Sequence, residues 1–147
     1  MSAQTTRLFN ASLRIMGVPA AHSEITKVLG IEPTECHTTS DIHPRTHKPW
    51  INDIWSIDSP LPRAADFDEH LKWLADLIRP HEAFLRGLSA RGARMDLYCG
   101  YMTDSIHSGF VVSAESLRLF TSLGIAFGVS VMILEEASNK VTGANAG

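Results

Sequence analysis

Strict alternation in three stretches constrains this chain more than any other feature of it. In Arg7 to Met16, Phe9, Ala11, Leu13 and Ile15 fall on one side, and Asn10, Ser12 and Arg14 fall on the other. Arg94 to Tyr101 repeats the pattern with Met95, Leu97 and Cys99, and the run Ile125, Phe127, Val129, Val131, Ile133 is its cleanest instance. Successive side chains of a strand point to opposite faces, so period two with one apolar row predicts half-buried strands. Gly124 to Leu134 is too short and too interrupted for a membrane helix and reads as a buried strand. A strand this apolar is expected inside the sheet or paired across a dimer, because a bare edge of that composition invites aggregation.

Helical patterns fill the spaces between. Ser23 is placed to cap a short helix in which Ile25, Val28 and Leu29 share a face and Gly30 supplies the stop. Asp66 followed by Glu69 fits a capping box ahead of a stripe of Phe67, Leu71, Leu74 and Ile78. Pro80 lacks an N–H donor and should kink or divide that helix before the stripe resumes at Phe84, Leu85 and Leu88. Ser113 can cap a further helix, with Leu117, Phe120 and Leu123 inward and Gly124 as its stop. Weaker patterns predict short strands at Glu35 to Thr39, at Ile51 to Asp58 with Ile51, Trp55 and Ile57 on one side, and at Gly109 to Val112; Asp41 to Pro49 reads as a polar loop. Two helices also end in the same words, Leu29-Gly-Ile31 and Leu123-Gly-Ile125. This order of elements predicts an α+β fold, a ferredoxin-like sandwich with a mostly antiparallel sheet and helices on one face. The echo admits a sharper reading of two pseudo-symmetric halves. Residues 1–137 read as a single domain and 138–147 as a flexible C-terminal tail, since the tail is small, polar and aperiodic.

Composition narrows the class of function. Lys and Arg number 13 and Asp and Glu 16, a net charge of −3, which argues against the basic surface that DNA or RNA binding needs. Two cysteines, Cys36 and Cys99, are too few for a disulfide scaffold and suit a reducing compartment. The polar N-terminus predicts no secretory leader, and no stretch is long enough to span a membrane, so a cytoplasmic location is expected.

Three groups of residues resemble a bacterial family known as domain of unknown function 4279. They are Leu29-Gly-Ile-Glu-Pro33-Thr34 after the first helix, Trp55-Ser56-Ile57 with Ser59-Pro60, and Leu97-Tyr-Cys99-Gly100-Tyr101 leading to Gly109-Phe110. The resemblance covers roughly residues 7–134. It implies a single-domain bacterial protein without an established activity and supplies no catalytic residues to carry over. The His-rich segment from Cys36 to His47 departs from the family pattern.

That segment is nonetheless the most suggestive in the chain. Cys36, His37, His43 and His47 are thiol and imidazole groups of the kind zinc takes, although their spacing matches no standard finger. Asp104, Ser105 and His107 could serve acid–base or nucleophilic work, but three such residues in one short loop more often form a turn. The polar side of the sheet would present Arg14 and Tyr98 near Trp50 and could bind a ligand or a peptide, although a solvated face or a dimer contact accounts for it more simply. The ligand-binding candidates are therefore Arg14, Trp50, Tyr98, Asp104 and His107, and the metal candidates Cys36, His37, His43 and His47. No glycine-rich phosphate loop is present. The leading expectation is a non-catalytic binding or interaction module without a cofactor, contacting another protein or a second copy of itself. The alternatives are a metal-dependent enzyme, with zinc one candidate metal, built on Cys36–His47 with Asp104 or His107 folded near it, and a small-ligand sensor.

Overall fold

A computed structural model describes residues 5–135, and the expected tail at 138–147 lies outside them. The longest alternating runs form the centre of one sheet. Strand β1, Arg7–Met16, is flanked by β3, Ile54–Asp58, and by β4, Arg94–Thr103, both antiparallel to it. Beyond β3 lies the short antiparallel β2, Glu35–His37; beyond β4 lies β5, Ala126–Ile133, which runs parallel to it. The order β2-β3-β1-β4-β5 thus makes a mixed five-stranded sheet, with three antiparallel pairings and one parallel.

The expected apolar rows line the helix-covered face. Phe9, Ala11, Leu13 and Ile15 of β1, Trp55 and Ile57 of β3, and Met95, Leu97, Cys99 and Tyr101 of β4 are all buried. Against them pack helices α1, His22–Leu29; α2, Phe67–Ile78; α3, Glu82–Ala90; and α4, Ala114–Ser122. Leu71, Leu74 and Ile78 of α2 are wholly buried, each stabilising the fold by about 1.5–3 kcal/mol relative to exposure. Pro80 divides α2 from α3 through a single 3-10 turn at Arg79–His81, as its missing donor requires. Both Leu-Gly-Ile junctions hold their glycine left-handed at φ 67°, yet they close differently. Gly30 N–H donates to Thr26 alone, whereas Gly124 and Ile125 N–H donate to Thr121 and Phe120, a Schellman pattern. The strands that follow also differ in placement, since β2 lies one strand away from β1 and β5 lies directly beside β4.

Several local expectations are corrected. Helix α1 begins at His22 with Ala21 as its cap, so Ser23 sits inside the first turn. Asp66 caps α2 without a side-chain bond; its carbonyl takes the Glu69 N–H, and the capping box does not form. Ser113 does cap α4, its hydroxyl accepting from Ser116 N–H. Ile51 is 90% exposed and precedes β3, because Asp53 interrupts the alternation and turns the chain. Gly109–Val112 is a loop, where Phe110 packs on Phe9, Phe67 and Tyr101 without strand pairing. The most regular alternation of all belongs to an edge strand. Every residue of β5 is exposed, and among the described residues nothing pairs with its outer side.

Candidate functional site

The sheet alternation decides which of the sequence candidates can meet. In β2, Cys36 pairs with the buried Trp55 and therefore faces the helices, while Glu35 and His37 face the open side with Ser56 and Ile54. Adjacent residues of one strand cannot converge on one ion, which is why the Cys36–His47 quartet does not assemble. Among the described residues no group of three or more His, Cys, Asp or Glu is placed to hold a metal ion.

On the open side, the His-rich segment folds back over the sheet as a compact loop. His43 N–H donates to Lys48 O, Trp50 N–H to Asp41 O, and Thr38 N–H to the Asp41 carboxylate. His47 takes a left-handed φ of 57° and donates to His43 O, so the spacing of four reflects a turn and not a helix. The loop delivers Trp50 between two imidazoles: His37 stacks on it at 3.6 Å between ring centres, and His43 lies tilted at 4.1 Å. His43 Nδ1 accepts from Arg45 and Thr46 N–H, which fixes that ring. Arg14 from β1 completes the wall of a cleft of about 550 Å³ with Glu35, His37, His43 and Trp50. Its guanidinium makes a two-pronged bond with Asp96, 2.7 Å on each arm, and lies over the Tyr98 ring. The Asp96 bond holds Arg14 above its ordinary pKa, so it stays a charged guanidinium, paired with a carboxylate and lying over an aromatic ring.

Arg14, Trp50 and Tyr98 are therefore neighbours as expected, but Asp104 and His107 are not. Both lie on the loop after β4, beside β5 and away from the His-rich loop. Asp104 is occupied by the Thr6 N–H at 2.8 Å, and Ser105 bonds backbone groups of His107 to close a turn. The folding of either residue toward the His-rich loop is overturned.

Two other groupings emerge that local sequence patterns did not reveal. The first is apolar. Val129, Val131 and Ile133 of β5, with Ile106, Phe110 and Tyr101, border a groove of about 320 Å³ on the helix side of the sheet. Phe127 leans on Phe67 and is still 41% exposed; Val131 is 59% and Ile106 88% exposed. The second lies behind β2. His22, at the first turn of α1, is buried with its Nδ1 3.3 Å from Cys36 Sγ and its Nε2 3.4 Å from Asp53 Oδ2. Asp53 is held in turn by Gly17 N–H at 3.0 and 3.1 Å. Burial, then the carboxylates of Asp41 and Glu32, push the Cys36 thiol up, and burial alone pushes Cys99 to about 12. No local signal announces the His22–Cys36–Asp53 meeting, since its members come from three segments that only the sheet order brings together.

Residues 5–134 match the family described as "Domain of unknown function (DUF4279)", and the chain belongs to that family. Neither a curated protein nor a solved structure matches it.

Proposed function

We propose that this member of the DUF4279 family is an interaction module that binds a second copy of itself through the open edge of β5. One observation carries the reading: an eight-residue strand without a charge, paired on one side only, exposes Phe127, Val129, Val131, Met132 and Ile133. Edge strands of stable monomers are commonly shortened, charged or broken by proline, and Ala126–Ile133 carries none of these devices. Antiparallel pairing centred on Ser130 opposes Val129 to Val131 and Phe127 to Ile133 of the copy, keeping one apolar row on the helix side. The same pairing is isologous, so it closes as a dimer and does not propagate. The order β2-β3-β1-β4 supports a ferredoxin-like reading of the first four strands, with α4 and β5 added to one margin. The two free thiols support a cytoplasmic setting. Among the described residues no helix is long and apolar enough to cross a membrane.

Sedimentation of tag-free protein tests the reading. A concentration-dependent dimer is expected, lost when Val129 and Val131 are both replaced by lysine. A monomer at the highest soluble concentration would overturn it.

A further inference from the structure

The structure assigns Cys36 a chemical capacity that β5 does not share: with His22 and Asp53 it forms a nucleophile, base and orienting group for acyl transfer from a neutral or cationic ester or thioester. The geometry has the linear order such chemistry needs. Cys36 is exposed, its sulfur is 3.3 Å from His22 Nδ1, and the far nitrogen of that ring faces the Asp53 carboxylate at 3.4 Å. The three residues come from α1, β2 and the segment before β3, the convergence of separate segments that distinguishes a site from a turn. Asp53 is pinned by two bonds from one backbone N–H, so it can position the ring. His22 Nε2 is buried and makes no aligned hydrogen bond; Asp53 is the carboxylate facing it, which favours the tautomer with hydrogen on Nε2 and a free lone pair on Nδ1. Catalytic bonds of this type are commonly loose before substrate arrives.

Partial burial of the sulfur and the carboxylates of Asp41 and Glu32 hold the thiol above its ordinary value, so it rests protonated. Attack therefore requires His22. Its Nδ1 takes the thiol proton as Sγ bonds to the acyl carbon; the bond from that carbon to the leaving oxygen or sulfur breaks, and the leaving group receives the proton from His22. In the second half, His22 takes a proton from water as the water oxygen attacks the acyl carbon. The S–C bond breaks, the carboxylic acid departs, and the thiolate regains its proton from the imidazolium. Glu32, Asp41 and Asp53 lie around the sulfur and its base, so an anionic acyl donor is disfavoured. Glu35 and His37 project to the other face of the strand.

The probe is p-nitrophenyl acetate, with S-acetylation of each cysteine read by mass spectrometry. Native Cys36 is expected to react about 100-fold faster than the same residue in the urea-unfolded chain, the scale of positioned general-base catalysis. Cys99, buried, serves as the internal fold control and should stay unmodified. His22→Gln should bring Cys36 down to the unfolded-chain rate while Cys99 remains protected. Asp53→Asn should lower the rate less and shift the His22 tautomer seen by nitrogen NMR, a change that a purely structural role would not produce. A native Cys36 no faster than the unfolded one overturns the inference whatever the variants do. So does an unchanged rate in folded His22→Gln.

Discussion

The two margins of the sheet solve the edge problem in opposite ways. At the β2 margin the strand is three residues long, and a proline-bearing loop folds over the open face beside it, bracing Trp50 between His37 and His43. Its polar groups are committed to one another: Cys36 to His22, and the Thr38 N–H to the Asp41 carboxylate. At the β5 margin the strand is eight residues long, uncharged and uncovered on its outer side among the described residues. The difference teaches that apolar alternation measures how well a strand suits burial, not whether its own chain supplies the cover. A polar margin that satisfies itself suits chemistry by one reactive group, and an apolar margin that does not suits association.

The largest expected effect breaks this contrast outright. Placing lysines at Val129 and Val131 gives β5 the charges that blunt other edges, and sedimentation should change from dimer to monomer across the whole concentration range. Next in size are the two helix stops. Gly30→Ala and Gly124→Ala each force a left-handed Cβ into open space, so only backbone strain is added, about 1–2 kcal/mol per site in urea titrations. Because Gly124 leads into β5, its variant should also weaken the dimer, and Gly30→Ala should not. Trp50→Ala removes two ring contacts worth about 0.5–1.5 kcal/mol each at most. Hydrogen exchange at Glu35–His37 should quicken in that variant while β5 stays unchanged. The smallest effect is acid sensitivity at the joint between α2 and α4. Burial would raise the Asp68 pKa, but Ser113 N–H, the hydroxyls of Ser116 and Ser113, and Lys72 hold it below the usual carboxylate value. A depressed folded pKa means that this contribution is complete above the unfolded value near about 4 and is lost as pH falls through the folded one. Exchange in α4 should therefore rise in acid before exchange in β1, and Asp68→Asn should remove that pH dependence.

Most of the fold was legible because it rests on local periods. Phe9 to Ile15, Met95 to Cys99 and the Leu71–Leu74–Ile78 stripe are each visible within a dozen residues, and Pro80 and both glycine stops act through their own backbone. The site was only partly legible. Arg14 and Tyr98 could be grouped from strand parity and Trp50 only placed near them, but Cys36 and His37 look like a pair in sequence and are parted by that same parity. His22 and Asp53 carried no periodic signal, since what joins them to Cys36 is the passage of α1 behind the β2–β3 pair. The position of β5 was hidden for another reason: strand order depends on which distant segments pair, and alternation is silent about neighbours.

The central position of β1 has a consequence for how the chain acquires its structure. Its longest partnership is with β4, and the Arg14–Asp96 bond alone joins residues 82 apart. During synthesis β3 can cover one edge of β1 first, but the other edge waits until about two-thirds of the described chain has followed β1. Sheets closed by such distant contacts form slowly, because the loop must be closed before the contacts reward it. The rate-limiting event should then be the capture of β4 by β1, with α4 and β5 settling afterwards onto a margin already built.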